Sequence, residues 1–129
     1  MQKVVAAVVQ RDGLVFVAQR SSGHLAGKWE FPGGKVRDLE PPEEALKREI
    51  QEEFGALVSV NKRIAEVPFS VAGKEFILIG FYARHISGEY LIREHKRIRW
   101  VSPSQLLTLD LSPADIPIAQ EVVMDMEPD

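Results

Sequence analysis

No cysteine occurs in the 129 residues. Disulfides, Cys-ligated zinc, iron–sulfur clusters and thiol nucleophiles are therefore excluded. Basic charge is not in excess either: 16 Lys and Arg stand against 19 Asp and Glu, for a net charge of −3. A nonspecific duplex binder needs a basic surplus to hold phosphates. Nucleic acid is not an expected partner, and an anionic ligand has to be met locally, by a metal or a few placed cations. Long apolar runs are missing too. The longest early one, Val4-Val5-Ala6-Ala7-Val8-Val9, runs straight into Gln10-Arg11-Asp12. A membrane-spanning helix needs about 20 apolar residues, and a signal peptide needs a longer core and a small-residue cleavage site. No membrane partner is expected, and the chain reads as cytoplasmic. No repeat, low-complexity tract or Pro/Gly linker divides it, so residues 1–129 read as a single domain.

What is present is the balance of a soluble globular protein: 45% apolar and 27% charged residues. A chain of this length buries about two-thirds of its unfolded surface without staples. Residues 3–10 read as a buried strand, Asp12-Gly13 as a hairpin turn, and residues 14–19 as the partner strand. Residues 21–28 read as a loop. Trp29-Glu30-Phe31 reads as a short extended piece entering a tight turn at Pro32-Gly33-Gly34. Residues 43–54 read as a helix, with Leu46, Ile50 and Phe54 forming one apolar stripe, Pro41 and Pro42 suiting its start and Gly55 its stop. Residues 57–69 and 75–86 read as strands around an Ala72-Gly73 turn, and residues 97–101 as a half-buried strand. Ser102-Pro103-Ser104-Gln105 has a capping-box pattern. A final helix is expected from Ser112-Pro113 to about Met124, with Glu127-Pro128-Asp129 fraying. The order is mixed, which predicts an α+β fold with helices flanking a mixed sheet.

The chemistry concentrates in residues 34–56. Glu49, Glu52 and Glu53 stand at i, i+3 and i+4, on one helix face. Three crowded like charges destabilise a bare helix by a few tenths of a kcal/mol per pair. Folding does not require that, and a hard divalent cation relieves it. Mg²⁺ takes carboxylate oxygens, keeps waters and bridges to substrate phosphates. Taken singly, each feature has a plainer account: an acidic face in solvent, an Arg48 paired with Glu44 or Glu52, a glycine turn.

Taken together they resemble the Nudix box, the signature of hydrolases acting on a nucleoside diphosphate linked to another group. Gly34, Glu40, Arg48-Glu49, Ile50, Glu52-Glu53 and Gly55 all match its pattern, and Ala56 stands where a larger aliphatic is usual. Seven strict positions at roughly 0.06 each give a chance match on the order of 10⁻⁹ per window. The resemblance implies the α/β/α sandwich of the Nudix fold. It also implies roles. Glu49, Glu52 and Glu53 would be metal ligands, joined by the Gly33 carbonyl, with Mg²⁺ as the ion and Mn²⁺ as a substitute. Arg48 would orient the carboxylates, and Glu40, Gly34 and Gly55 would shape the loop–helix motif.

Outside the box, Val17-Ala18-Gln19-Arg20, Ala26-Gly27-Lys28-Trp29-Glu30-Phe31-Pro32, Glu94-His95 and Pro113-Ala114-Asp115-Ile116-Pro117 resemble the MutT-like branch of small nucleoside triphosphate pyrophosphohydrolases. That resemblance implies a nucleotide substrate, pyrophosphate as a product, and a monomer or homodimer. Glu94 is a candidate fourth carboxylate near the metal. Glu49, Glu52 and Glu94 are the candidates to accept a proton from the attacking water. Arg20 and Lys35 are candidates for phosphate binding. Glu30, Phe31 and Asp115 are candidates for base recognition, with Phe31 and Trp29 equally open to a core role. Asp-Ile-Pro resembles the CTP pyrophosphohydrolase relatives, and an ionised Asp115 would accept from the cytosine amine. A protonated Asp115 could donate to an oxidised guanine, so 8-oxo-dGTP stays open. His24 and His95 read as surface loop residues and His85 as a strand-end residue, none with a catalytic role.

Overall fold

The computed structural model describes residues 1–126, so the expectation for the tail at 127–129 lies outside the described residues. Seven strands form one sheet: β1 (Gln2–Arg11), β2 (Leu14–Arg20), β3 (Trp29–Glu30), β4 (Gly33–Lys35), β5 (Leu57–Val71), β6 (Lys74–Ser87) and β7 (His95–Val101). The main order is β3-β2-β1-β6-β5, with β4 on β1 and β7 on β2. The β1–β6 pair is parallel and the other pairs are antiparallel. Helix α1 (Pro42–Phe54) covers one face. The short α2 (Pro103–Leu106), a 3₁₀ turn at Pro113–Asp115 and α3 (Ile116–Met126) cover the other. The expected mixed sheet between helices is observed.

The apolar run of β1 explains this layering. Val5, Ala7 and Val9 point into the core under α1, with Phe16, Leu46, Ile50, Phe54 and Ile79. Ala6 and Val8 point the other way, toward Val17, Trp29, Phe31, Leu106, Ile118 and Val122. A strand buried on both faces reads as a continuous apolar run rather than an alternating one. The two tryptophans fall on opposite sides: Trp29 in the α3-side core and Trp100 against the α1-side core. Pro68 is tolerated in β5 because that strand is an edge.

Two local expectations are corrected. Gly33 and Gly34 are not in a tight turn: they form β4 and pair with Ala6 and Val5. Glycine is required there for close approach. A Cβ on Gly33 would fall on the Val5 carbonyl, and one on Gly34 on the Glu49 carboxylate. The last helix also starts differently, as the 3₁₀ turn before α3.

β1 and β2 pair only beside their hairpin, at Gln10–Val15 and Arg11–Leu14. Beyond that, β1 takes β4 as its neighbour while β2 turns to β3 and β7. The sheet forks, and the main cleft opens in the fork.

Candidate active site

Helix α1 is built to present carboxylates. Pro42 occupies its first turn with Glu43 and Glu44, and Gly55 ends it in the left-handed region (φ 76°), its amide bonded to the Gln51 carbonyl at 2.9 Å. The fully buried Leu46, Ile50 and Phe54 fix the helix to the sheet. That anchoring sets the rotation of Glu49, Glu52 and Glu53.

Arg48 ties the motif together. Its Nε donates to Glu40 at 2.8 Å and its Nη2 to the other Glu40 oxygen at 3.0 Å. Nη2 also donates to the Lys35 carbonyl at 3.1 Å, and Nη1 to Glu49 at 2.9 Å and Glu52 at 3.3 Å. Glu40 additionally accepts the Arg37 amide at 3.0 Å. These bonds, that from Arg48 foremost, hold the Glu40 carboxyl down at about 2, and they raise the Arg48 guanidinium further above its usual range. Glu40 and Gly34 thus act as structural members, joining the loop before α1 to the helix.

Glu53 faces the cleft and is mostly buried. Its carboxyl is pushed up to about 8, by burial first and then by Glu49, Glu30 and Glu94. Glu94 lines the same cleft. Glu49 is pressed onto Gly34, which also lines it. Glu52 is half-exposed and turned toward Arg48 and Arg37, away from the cleft lining. Among the described residues, no three His, Asp or Glu side chains yet converge at metal-ligand spacing. The donor chemistry nevertheless fits a hard divalent cation. The groups are all oxygens, and the mutual repulsion that raises Glu53 is what such a cation relieves. Glu49, Glu52, Glu53, Glu94 and the Gly33 carbonyl are the residues that would hold it.

The cleft encloses about 790 Å³, within the range of small-molecule sites. Arg20 stands in its wall, paired with Glu30 at 3.0 Å. Phe31 is nearly fully buried, part of the α3-side core as well as the cleft wall. Trp29 is core. Asp115 lies at the same end and is buried. Burial, then Glu30, raises its carboxyl well above the ordinary range, although the Phe31 amide donates to it. That direction favours the protonated carboxyl, the second of the two forms weighed above.

Lys35 is not brought into this group. Its side chain is exposed and absent from the cleft lining, because strand pleating turns it outward from β4. His95 is also corrected, from surface loop to buried support. Its Nε2 lies 2.9 Å from Glu30, and its ring stacks on Phe54 at 5.2 Å. It is the first residue of β7 and pairs with Arg20 of β2. His85 does sit near a strand end, 3.1 Å from the Tyr90 hydroxyl, and His24 lines the cleft mouth. Sequence reasoning missed Phe69, Leu78 and Ser112 as cleft residues. Only the path of β5 and β6 past the fork reveals the first two.

The comparisons agree with this architecture. The family model described as the NUDIX domain matches residues 1–122. The chain is 38% identical over 121 residues to the CTP pyrophosphohydrolase of Escherichia coli K12, covering 93% of this chain and 90% of that one. It is also 38% identical over 119 residues to a putative 8-oxo-dGTP diphosphatase 2 of Mycobacterium tuberculosis, covering 88% and 82%. The solution structure of the E. coli ORF135 protein superposes with a TM-score of 0.88 at 37% identity, covering 96% of this chain and 89% of that one. A carboxylate-bearing helix held by Arg48 over a sheet cleft, matched along nearly the whole chain, places it plainly: the protein is a member of the Nudix hydrolases.

Proposed function

We propose that the chain hydrolyses ribo- or deoxyribonucleoside triphosphates to a nucleoside monophosphate and pyrophosphate, with Mg²⁺ as cofactor and Mn²⁺ able to replace it. One observation carries this reading. A single cleft joins the carboxylates Glu53 and Glu94 to an apolar recess walled by Phe31 and ended by Asp115. The relatives' names support it, since one acts on CTP and another is assigned 8-oxo-dGTP.

Nudix hydrolases generally use a divalent metal. Bound here, it would neutralise phosphate charge and lower the pKa of a water. The chain's own residues do the rest. Arg20, held by Glu30, meets phosphate oxygens from the cleft wall. Water attacks phosphorus in line: its oxygen–phosphorus bond forms, the bond to the bridging oxygen breaks, and pyrophosphate leaves. A carboxylate takes the water's proton. Glu49 is better placed for this than Glu52, because it lies against the cleft-lining Gly34 while Glu52 is turned to Arg37.

Asp115 reads the base. A neutral carboxyl presents one donor and one acceptor side by side. The N3/N4 edge of cytosine offers the complementary pair, and so does the O6/N7 edge of 8-oxoguanine, whose N7 carries a hydrogen. Unmodified guanine has two acceptors on that edge and fits poorly.

The test is a panel of CTP, dCTP, 5-methyl-dCTP, dGTP, 8-oxo-dGTP, ADP-ribose and diadenosine tetraphosphate with Mg²⁺. Pyrophosphate release is expected, with kcat/KM for cytosine and 8-oxoguanine nucleotides well above that for dGTP. Turnover of ADP-ribose or the dinucleotide alone would overturn the substrate assignment.

A further inference from the structure

Arg93 lies outside the box, yet it is bonded to the box helix. Helix α1 has no basic residue in its last turn, so it provides no cation for its own C-terminal carbonyls. Arg93 reaches across to supply one. Its Nη1 donates to the Glu52 carbonyl at 2.8 Å and approaches the Gln51 carbonyl at 3.4 Å. A guanidinium there bonds the Glu52 carbonyl, lies beside the Gln51 carbonyl that the Gly55 amide already holds, and faces the negative end of the helix dipole. Gly55 shapes the seat, because a Cβ there would lie 3.2 Å from Arg93 Nη2.

The same segment is pinned twice more. The Leu91 amide donates to the Phe54 carbonyl at 2.9 Å, and the Ser21 hydroxyl to the Glu94 carbonyl at 2.5 Å. On the far side, His95 is fixed by Glu30 and Phe54. The residue held between Arg93 and His95 is Glu94, which lines the cleft together with Glu53.

We infer that Arg93 is a positioning residue: by bonding the C-terminal carbonyls of α1, it holds the segment 91–94 so that Glu94 completes the carboxylate set begun by the box helix. This rests on the reading of Glu94 as a cation ligand. It gives the end of the box helix a second use, since Glu52 and Gln51 contribute their backbone carbonyls as the anchor for a loop ligand.

The experiment compares wild type with Arg93→Ala, Arg93→Lys, Glu94→Gln and the Arg93→Ala/Glu94→Gln double variant. Four quantities are read: kcat and KM for CTP, Mn²⁺ affinity with the α,β-methylene analogue of CTP bound, and the rate of hydrogen exchange at the Leu91 amide. Outer supports of metal ligands typically contribute about 10- to 100-fold in metal affinity or activity. Arg93→Ala is expected to lower kcat and Mn²⁺ affinity by roughly tenfold with little change in KM, and to speed exchange at Leu91. Arg93→Lys should restore most of both. The double variant should be no worse than Glu94→Gln within about twofold, since both changes act through one carboxylate. If Arg93→Ala keeps its full effect in the Glu94→Gln background, Arg93 does not act through Glu94 and the inference fails alone. If Glu94→Gln itself matches wild type in Mn²⁺ affinity and kcat, the reading of Glu94 fails first and takes the inference with it.

Discussion

Glu53 is where the electrostatics of the site converge. Its carboxyl is raised to about 8 in the folded protein against an ordinary 4.5. A carboxyl raised by folding contributes stability that is fully present below about 4.5 and is lost as pH rises through about 8. In metal-free protein, Glu53→Gln is therefore expected to raise the Tm, slightly at pH 4.5 and increasingly toward pH 8. Turnover should fall by orders of magnitude if Glu53 holds the cation as proposed, because the substitution removes its charge. Thermal melts across that window and steady-state kinetics check both halves. Near-normal turnover would remove Glu53 from the cation-binding set. The three carboxylates of the box helix were legible as a set only beside Gly34, Glu40, Arg48 and Gly55, since their spacing alone also describes an acidic face in solvent. The raised carboxyl of Glu53 was not, because it comes from burial and from the charges of Glu30 and Glu94, which arrive from β3 and from the loop before β7.

Elements bring their own constraint through β4. Three residues of strand lie so close to β1 and to α1 that neither glycine can carry a side chain. The two glycines serve different neighbours. Gly33 gives way to the β1 backbone, which cannot move without breaking its rungs to β6. Gly34 gives way to a carboxylate, which can swing aside. Gly34→Ala should accordingly cost about 1–3 kcal/mol of stability while reducing kcat/KM much more than that loss of folded protein accounts for, because Glu49 is the group displaced. Thermal denaturation beside kinetics at a temperature where the variant stays folded separates the two effects. The sequence showed that these glycines matter, but it suggested a turn. Glycine pairs are common turn residues, and nothing local marks a strand only three residues long. The contacts that require glycine lie far off in sequence, with β1 for Gly33 and with Glu49 of α1 for Gly34.

At the scale of the whole molecule, β1 divides the interior into two cores that share a strand but few side-chain contacts. Ile50 belongs to one and Ile118 to the other, and both are fully buried. Ile50→Val and Ile118→Val should each cost about 0.5–1.5 kcal/mol. Their effects should add to within about 0.5 kcal/mol in the double variant, as expected for sites without shared partners. A larger departure in chemical denaturation would show that the two cores act as one. The layered α+β architecture was readable in advance because the β1 run and the Leu46-Ile50-Phe54 stripe are local patterns. The fork in the sheet was not. It arises where β1 exchanges β2 for β4, and no periodicity in either strand announces a change of partner. The cleft is made by that exchange, which is why its depth, the inward turn of His95 and the outward turn of Lys35 became visible only in three dimensions.

The separation of Trp29 and Trp100 by the sheet has an optical consequence. Trp100 packs edge-on against Phe16 and Tyr90, at 5.2 Å and 5.3 Å between ring centroids, on the face of the sheet opposite Phe31. Trp29 is bonded through its carbonyl to the amide of Ser112 and through its amide to Asp110, and it immediately precedes Glu30 and Phe31. On the proposed function, a nucleotide in the fork is expected to change the local field at Trp29, next to the cleft-lining Glu30 and Phe31, and to leave Trp100 in its aromatic surroundings. The two indoles would then act as a built-in pair of fluorophores, one responding to ligand and one serving as its reference, and emission from the unlabelled protein during a nucleotide titration checks this.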